Sequence, residues 1–316
     1  MTTTEYTTDR VRVRPRAAER RRRRKGRGVR MLKRLILWFA VIATLAPGWW
    51  VIVASLSSGT AFFGLKTTFF GLIPYPHDPT WANYRELFKP EVGFLKWVKN
   101  SMILCLSVAT IATIISSLSA YSFSRLRFRG RRYGLMAMLL IQMFPTTVAL
   151  PAYYLVLLWM GQHFRIGDTT IIGLDTFQGL ILILAGGSLA FQTWLAKGYF
   201  DNLPTELEEA ASVDGATRLK TLWHIIVPLA KPMLAVNFLF TFIGIYSEFI
   251  LTSLVINSND KKTLPLGLND FISDQFAQHW TEFAAAAVIA SIPILVVFMA
   301  MQRYLVAGLA RGAVRG

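Results

Sequence analysis

The sequence predicts an all-α polytopic membrane protein: six transmembrane helices, with a cytoplasmic helix-turn-helix loop between the fourth and the fifth. Three observations carry this prediction. The 316-residue chain is 53% hydrophobic with a mean hydropathy of +0.43, more apolar than a soluble domain of that length needs for one core. Six windows are long and apolar enough to cross ~30 Å of hydrocarbon, which takes about 20 helical residues. Lys and Arg are distributed unevenly between those windows.

The windows lie near 35–56, 101–123, 133–160, 179–196, 232–256 and 283–305. They are helical because backbone groups in lipid must pair within their own segment. With the N-terminus in the cytoplasm, the inner segments hold 26 Lys and Arg and the outer loops 8. The opposite topology would invert the positive-inside bias, so both termini are expected in the cytoplasm. Trp49, Trp50, Trp97, Trp159 and Trp280 fall near outer interfaces and Trp38 and Trp194 near inner ones, as an aromatic belt requires.

Residues 1–34 form an Arg-rich cytoplasmic tail, expected to be disordered, which holds 14 of the 34 Lys and Arg. Its run "RRRRRK", Arg20–Lys25, ends at an apolar span, where retention on the inner side and attraction to anionic lipid explain it better than nucleic acid does. The apolar segment after it has no convincing small-residue cleavage site and is long enough to span, which argues against a cleaved signal. The single Cys105 lies in an apolar run, reads as a small core residue, and excludes an intramolecular disulfide or a Cys-based metal site. Four scattered His residues form no catalytic or metal constellation.

The remaining 35–316 reads as one transmembrane domain. Its longest outer loop, 57–99, contains "IPYPHDPTWANYRELF", Ile73–Phe88, which combines turn residues with a short amphipathic piece. Pro145 and Pro151 are expected to kink the third span, for gating or for simple packing. Glu248, in "GIYSEFILTS", is the one acid well inside a span. It is expected either to line a path or to anchor the fifth helix near its outer end.

The segment "EEAASVDGATRLKTLWHIIVP", Glu208–Pro228, is out of character with the chain around it. Pro204 suits the first turn of a helix whose Glu206, Glu208 and Glu209 complement a positive N-terminal end. Gly215 offers a break with positive φ. A second helix then carries Leu219, Leu222, Trp223 and Ile226 on one stripe until Pro228 stops it. Such a stripe lies in the headgroups, enters DNA, or docks on a cytoplasmic partner. Five acids in the loop, Asp201, Glu206, Glu208, Glu209 and Asp214, repel phosphate and have the wrong sign for a surface-lying helix, which leaves partner docking.

The spacing of Glu209-Ala210-Ala211, Gly215, Ile225, Val227 and Pro228 resembles the EAA coupling loop of ABC-importer permeases, whose pattern is EAA, three residues, G, nine residues, I-x-L-P. Val227 replaces the usual Leu. "NSMILCLSVATIATIISSLSAYSFSRLRFRGRR", Asn100–Arg132, is similar to the second span and inner loop of the carbohydrate-uptake branch. "QRYLVAGLARGAVRG", Gln302–Gly316, resembles the C-terminus of the smaller maltose-type permease subunit.

The resemblance implies a permease subunit of a binding-protein-dependent importer for a sugar, maltose or a related oligosaccharide, across the inner membrane. Its implied partners are a second permease, an ATPase homodimer and an extracytoplasmic sugar-binding protein, besides membrane lipid. No cofactor is expected on this chain, because it has no G-x-x-x-x-G-K-[ST] loop; ATP and Mg belong to the partner ATPase. Within the coupling loop, 199–231, Glu209 would pair with a basic residue of the ATPase or serve only the helix dipole. Ala210 and Ala211 would allow close approach, and Asp214, Gly215, Ile225 and Pro228 complete the motif. The tail 306–316, with Gly308, Leu309, Gly312 and Val314, would reach the ATPase interface or simply fray. Asn257, Ser258, Asn259 and Asp260 would touch the binding protein or form a solvated turn. Tyr246, Asn237 and Gln142, with Glu248, are candidates for the translocation path. A secondary carrier or a non-transporting scaffold is the alternative, although a carrier leads one to expect buried carboxylate pairs.

Overall fold

A computed structural model describes residues 17–59, 66–68, 73–76, 78–273 and 279–313, with 17–29 and 305–313 as helical backbone. The first helix, α1 (Ala17–Ser55), runs for 39 residues, about 58 Å at 1.5 Å per residue. Residues 17–34 therefore differ from the disordered tail expected for them: they continue the helix. Ala, Arg, Lys and Leu are strong helix formers, and the apolar turns that follow supply the costly nucleus. Almost none of α1's apolar window is buried against the rest of the chain.

The C-terminal carbonyls of α1 are taken up by the next structured piece. Asn83 Nδ2 donates to Ser55 O and to Ser57 O, both at 2.9 Å, and Ser55 Oγ and the Tyr84 hydroxyl are hydrogen-bonded at 2.7 Å. Both partners sit on α2 (Ala82–Leu87), the amphipathic piece expected within Ile73–Phe88. Before it, β1 (Lys66–Thr68) and β2 (Ile73–Tyr75) pair antiparallel, with Thr67 opposite Pro74.

The centre of the bundle is α3 (Phe94–Arg125), which packs along α6 (Phe177–Phe200) and α9 (Val227–Tyr246). Its buried face carries Ala109, Ala112, Ser116, Ser117 and Ala120, small residues that let helix backbones approach where lipid provides no hydrophobic drive. Gln192 of α6 is fully buried there. It accepts from Ser116 Oγ at 3.2 Å and donates to Thr241 Oγ1, while Asn237 Nδ2 donates to its backbone carbonyl at 3.2 Å. The last helix, α12 (Trp280–Ala313), lies against α1, α2 and α9 and buries Ala284, Ala285, Ala286 and Ala290.

Five of the described helices are long and apolar enough to cross a bilayer. A sixth crossing needs α4 (Arg131–Met143) and α5 (Thr146–His163) taken together, and these are bent by 101°. The third window is thus a broken element and not a kinked span. Pro145 has no N–H and pushes Phe144 into extended backbone (φ −78°, ψ 123°), which ends α4. Pro151 stays inside α5. A short hairpin, β3 (Arg165–Ile166) and β4 (Thr169–Thr170), follows.

Two further expectations change. The fifth window is shifted: α9 starts at Val227 and ends at Tyr246, and α10 (Ile250–Val255) follows a three-residue break. Pro228 does not stop a helix. The chain runs from α8 (Arg218–Thr221) through a π-helical turn, Leu222–Ile226, directly into α9, with Val227 N–H donating to Leu222 O. The wider turn relieves the clash a proline ring makes with the carbonyl four residues back.

Beyond α10, α11 (Leu264–Ser273) packs on the start of α3. The contact depends on a missing side chain: a Cβ at Gly267 would lie 2.0 Å from Trp97 Cδ2. Trp97 cannot step aside, because Phe94 and Phe271 hold its ring edge-on at 6.3 and 6.0 Å. Gly267→Ala is expected to destabilise the protein by about 1–3 kcal/mol through overpacking, read as a lowered midpoint of thermal unfolding in detergent. An unchanged midpoint would mean that α11 moves freely on α3.

Candidate functional site

The polar segment is built from the end of α6. Lys197 and Asp201 form an ion pair at 2.5 Å, and Ser124 Oγ of α3 donates to the other Asp201 oxygen at 2.6 Å. Burial by itself would raise the Asp201 pKa. The hydrogen bonds from Lys197 and Ser124 outweigh it and hold the carboxyl below its ordinary range.

The chain turns through Asn202–Pro204 and enters α7 (Glu206–Val213) with Thr205 at the N-cap. Pro204 therefore precedes the cap instead of occupying the first turn. Glu206, Glu208 and Glu209 occupy that turn, where the helix dipole favours negative charge. At the other end Asp214 is the C-cap, Gly215 adopts φ +78°, Gly215 N–H donates to Ser212 O at 3.1 Å, and Ala216 N–H donates to Ala211 O at 2.9 Å. This pair of bonds is a Schellman motif, and its left-handed position is the reason for a glycine. Thr217 then caps α8, its Oγ1 accepting from Lys220 N–H at 3.4 Å.

One face of this bent segment is seated on its own bundle. Ala211, Leu222 and Ile226 are buried. Leu222 and Ile226 pack with Tyr121 of α3, Phe200 of α6 and Ala230 of α9, and Ile225 lies partly buried against them. The opposite face is open: Leu207, Leu219 and Trp223 are exposed, and Val213 is 88% exposed. Glu209, Ala210, Asp214 and Pro228 are exposed too. A cavity of 420 Å³ lies beneath, with Glu209, Ser212 and Arg218 in its wall.

Residues 100–311 match the family described as binding-protein-dependent transport system inner membrane component. The chain belongs to that family. It is 38% identical over 237 residues to the maltodextrin transport system permease protein MdxG of Bacillus subtilis (75% of this chain, 81% of the relative). It is 34% identical over 284 residues to the galactooligosaccharides transport system permease protein GanQ of the same organism (89% and 94%). It is 39% identical over 227 residues to the maltose/maltodextrin transport system permease protein MalG of Vibrio vulnificus (72% and 74%). In fold it is similar to a chain in the crystal structure of a bacterial ABC transporter that imports alginate, with a TM-score of 0.70 at 23% identity, covering 89% of this chain and 98% of that one. The family match runs from within α3 to within α12 and takes in the whole bent segment.

In this inner membrane component the other candidate residues are dispersed. Asn237 is 1% exposed and bonded to Gln192. The Tyr246 hydroxyl, also buried, donates to Ala290 O at 2.9 Å and ties α9 to α12. Neither faces an open path within this chain, because helix packing turns both inward. Gln142 is exposed on α4. Glu248 sits in the break between α9 and α10, where Oε1 accepts from Leu251 N–H at 2.6 Å and caps α10. Gly308, Leu309 and Gly312 lie in the backbone of α12, and Val314 lies outside the described residues. Among the described residues no group of His, Cys, Asp and Glu could hold a metal ion.

At the end of the bundle opposite α7, residues 257–262 form a fixed turn. Asp175, at φ +54° just before α6, accepts from the N–H groups of Asn257 and Ser258 at 3.0 Å each, from Ser258 Oγ, and from Lys261 Nζ at 3.2 Å. Asn259 starts a 3-10 turn, and Asp260 pairs with Lys96 at 2.9 Å. Asn100 Nδ2 donates to the carbonyls of Asp260 and Lys262, both at 2.9 Å. Asp175 escaped the sequence reading because one Asp between two spans is an ordinary turn residue. Gln192 had a visible signal, an amide inside an apolar window.

Burial would raise the Asp175 pKa, but the bonds from Ser258, Asn257 and Lys261 prevail and bring it from 3.8 to about 2. A depressed value means that the carboxylate's stabilisation is complete above about pH 3.8 and is lost as the pH falls toward about 2. Hydrogen-exchange protection of the Asn257 and Ser258 amides should hold at pH 5 and fade across that window. In Asp175→Asn, trypsin should cut after Lys261 and Lys262 several-fold faster at neutral pH. Unchanged cleavage would remove Asp175 as the latch of the turn.

Proposed function

We propose that the chain is the permease subunit of an ABC importer that carries maltose or a related oligosaccharide across the inner membrane, driven by ATP that a separate ATPase dimer hydrolyses. The observation that carries this is the two-faced segment that runs from α7 through Gly215 and α8 to the π-helical turn, whose Leu222 and Ile226 make the seated face. One side is seated on α3, α6 and α9. The other presents Leu207, Val213, Leu219 and Trp223 beside Glu209 and Asp214. A short amphipathic helix with an apolar face and an acidic rim fits a groove on a partner with a basic rim. The sugar follows from the relatives' maltodextrin, galactooligosaccharide and maltose names. ATP bound in trans is consistent with a sequence that has no phosphate loop.

In this reading the segment lies in the cytoplasm, and both termini lie on its side. The direction of the chain supports that. Arg125, at the end of α3, touches Glu208 of α7, so α3 and α6 both finish at that end, and α12 runs back to it after α9. With 34 residues, about 51 Å, α12 outlasts ~30 Å of hydrocarbon. Its last turns, with Gly308, Leu309 and Gly312, then project toward the ATPase. At the other end, Asn257–Asp260 would meet a sugar-binding protein, and a second permease would cover the exposed apolar faces of α4 and α5.

The test is uptake of radiolabelled maltose by proteoliposomes that contain this chain, its partner permease, the ATPase and the binding protein. Uptake should require all four together with ATP. Uptake by the chain alone would make it a carrier. A chain that assembles with the ATPase yet moves no oligosaccharide would be a scaffold. Gly215→Val should insert normally yet lower ATP-driven uptake several-fold. The space at Gly215 is open, so the penalty comes from backbone strain, of order 1–3 kcal/mol. Gly215→Asn, which tolerates positive φ, should retain more uptake than Val. Full uptake in Gly215→Val would sink the coupling role.

A further inference from the structure

Three parts of the chain meet at the first turn of α7. Arg125, the last residue of α3, donates from Nε to Glu208 Oε1 at 2.5 Å and from Nη2 to the Leu203 carbonyl at 2.9 Å. Tyr121, one turn earlier on α3, donates to Glu208 Oε2 at 3.2 Å. Both oxygens of Glu208 are therefore taken by α3, and one guanidinium spans α7 and the turn that leads into it. The two charged side chains are only 12% and 16% exposed, at the wall of the 420 Å³ cavity, so water screens the pair less than it does on an open surface.

Little else holds α7 to the bundle. It has eight residues, of which Ala211 is the one that is buried, and a helix that short does not sustain itself in water. Glu208 stands directly before the Glu209-Ala210-Ala211 run, and the two differ in what they meet. Glu208 is bonded to α3, whereas Glu209 is exposed, in the wall of the same cavity. Below the clamp, α3 runs through the middle of the bundle between α6 and α9.

We propose that Arg125 and Glu208, assisted by Tyr121, are positioning residues that lock the coupling segment to α3, so that a push on its exposed face is delivered to the central helix of the bundle instead of being absorbed in the α6–α7 turn. This rests on the importer reading above. On this view Glu209 meets the partner and Glu208 passes the motion on. The lock is suited to the task because its bonds diverge, Arg125 donating to Glu208 and to the Leu203 carbonyl while Glu208 also accepts from Tyr121, which resists tilt as well as separation, and because truncating either partner leaves a largely buried charge without its counter-ion.

The experiment uses the complete reconstituted transporter, with radiolabelled maltose as the probe, and reads maltose imported per ATP hydrolysed. Arg125→Ala and Glu208→Gln are each expected to lower that ratio by roughly five-fold or more. The exchanged pair Arg125→Glu with Glu208→Arg should recover a good part of it. Arg125→Lys, which reaches Glu208 but cannot also bridge to Leu203, should fall between wild type and Arg125→Ala. Tyr121→Phe keeps the ring in the core and removes only one donor, and should cost about two-fold. A wild-type ratio in assembled Arg125→Ala and Glu208→Gln complexes would overturn the proposal. So would failure of those two to assemble combined with a wild-type ratio in Arg125→Lys and Tyr121→Phe, since the pair would then serve folding alone. A wild-type complex that imports no maltose in response to ATP would instead overturn the importer reading, and the lock's transport role with it.

Discussion

Within hydrocarbon a backbone N–H or C=O without a partner has no water to turn to, and the architecture follows from that constraint. Where the chain leaves helical geometry near its apolar windows, something else takes up the freed groups or removes the need for them. At the α4–α5 break, Pro145 brings no N–H to satisfy. At the α9–α10 break, the Glu248 carboxylate accepts the Leu251 N–H. Between α8 and α9, the π-helical turn keeps the ladder going by a longer step from Val227 N–H to Leu222 O, so that Pro228 can be carried inside a continuous helix.

That continuity sets how firmly the segment is held. Had Pro228 ended a helix, the bent segment would hang from α9 by a flexible joint. Instead α8, the π turn and α9 form one unbroken helical run, and the segment is stiff at its C-terminal side. Its N-terminal side enters through the turn after α6, where stiffness comes from side chains: Lys197 and Ser124 on Asp201, and Arg125 and Tyr121 on Glu208. Two different means, one of backbone and one of ion pairs, thus hold the same element at its two ends.

The polar groups inside the bundle serve its cohesion. Gln192 of α6 gathers Ser116 from α3 and Thr241 and Asn237 from α9, and Tyr246 ties α9 to α12. In lipid such bonds contribute modestly to association but select one register, because a shift breaks the bonds that Gln192 makes to α3 and α9. The faces of α1, α4 and α5 are different. They are apolar and open, as surfaces are that meet lipid or another subunit.

The sequence by itself determined what depends on local composition and period: the apolar windows, the asymmetry of charge between them, and the polar insert with its acidic first turn and its glycine bend. Each is a property of a short stretch, since hydropathy needs about twenty adjacent residues and a Schellman turn needs six. Only the tertiary structure decided where those stretches break and whom their side chains meet. Pro145 and Pro151 look alike in sequence, yet one ends a helix and the other rides inside one. Asn237 and Tyr246 look available until α6 and α12 close over them. Glu208 and Arg125 stand 83 residues apart and Asp175 and Asn257 stand 82 apart. No periodicity within either segment can reveal such a pairing, because the packing of α3 against α6 and α9 creates it.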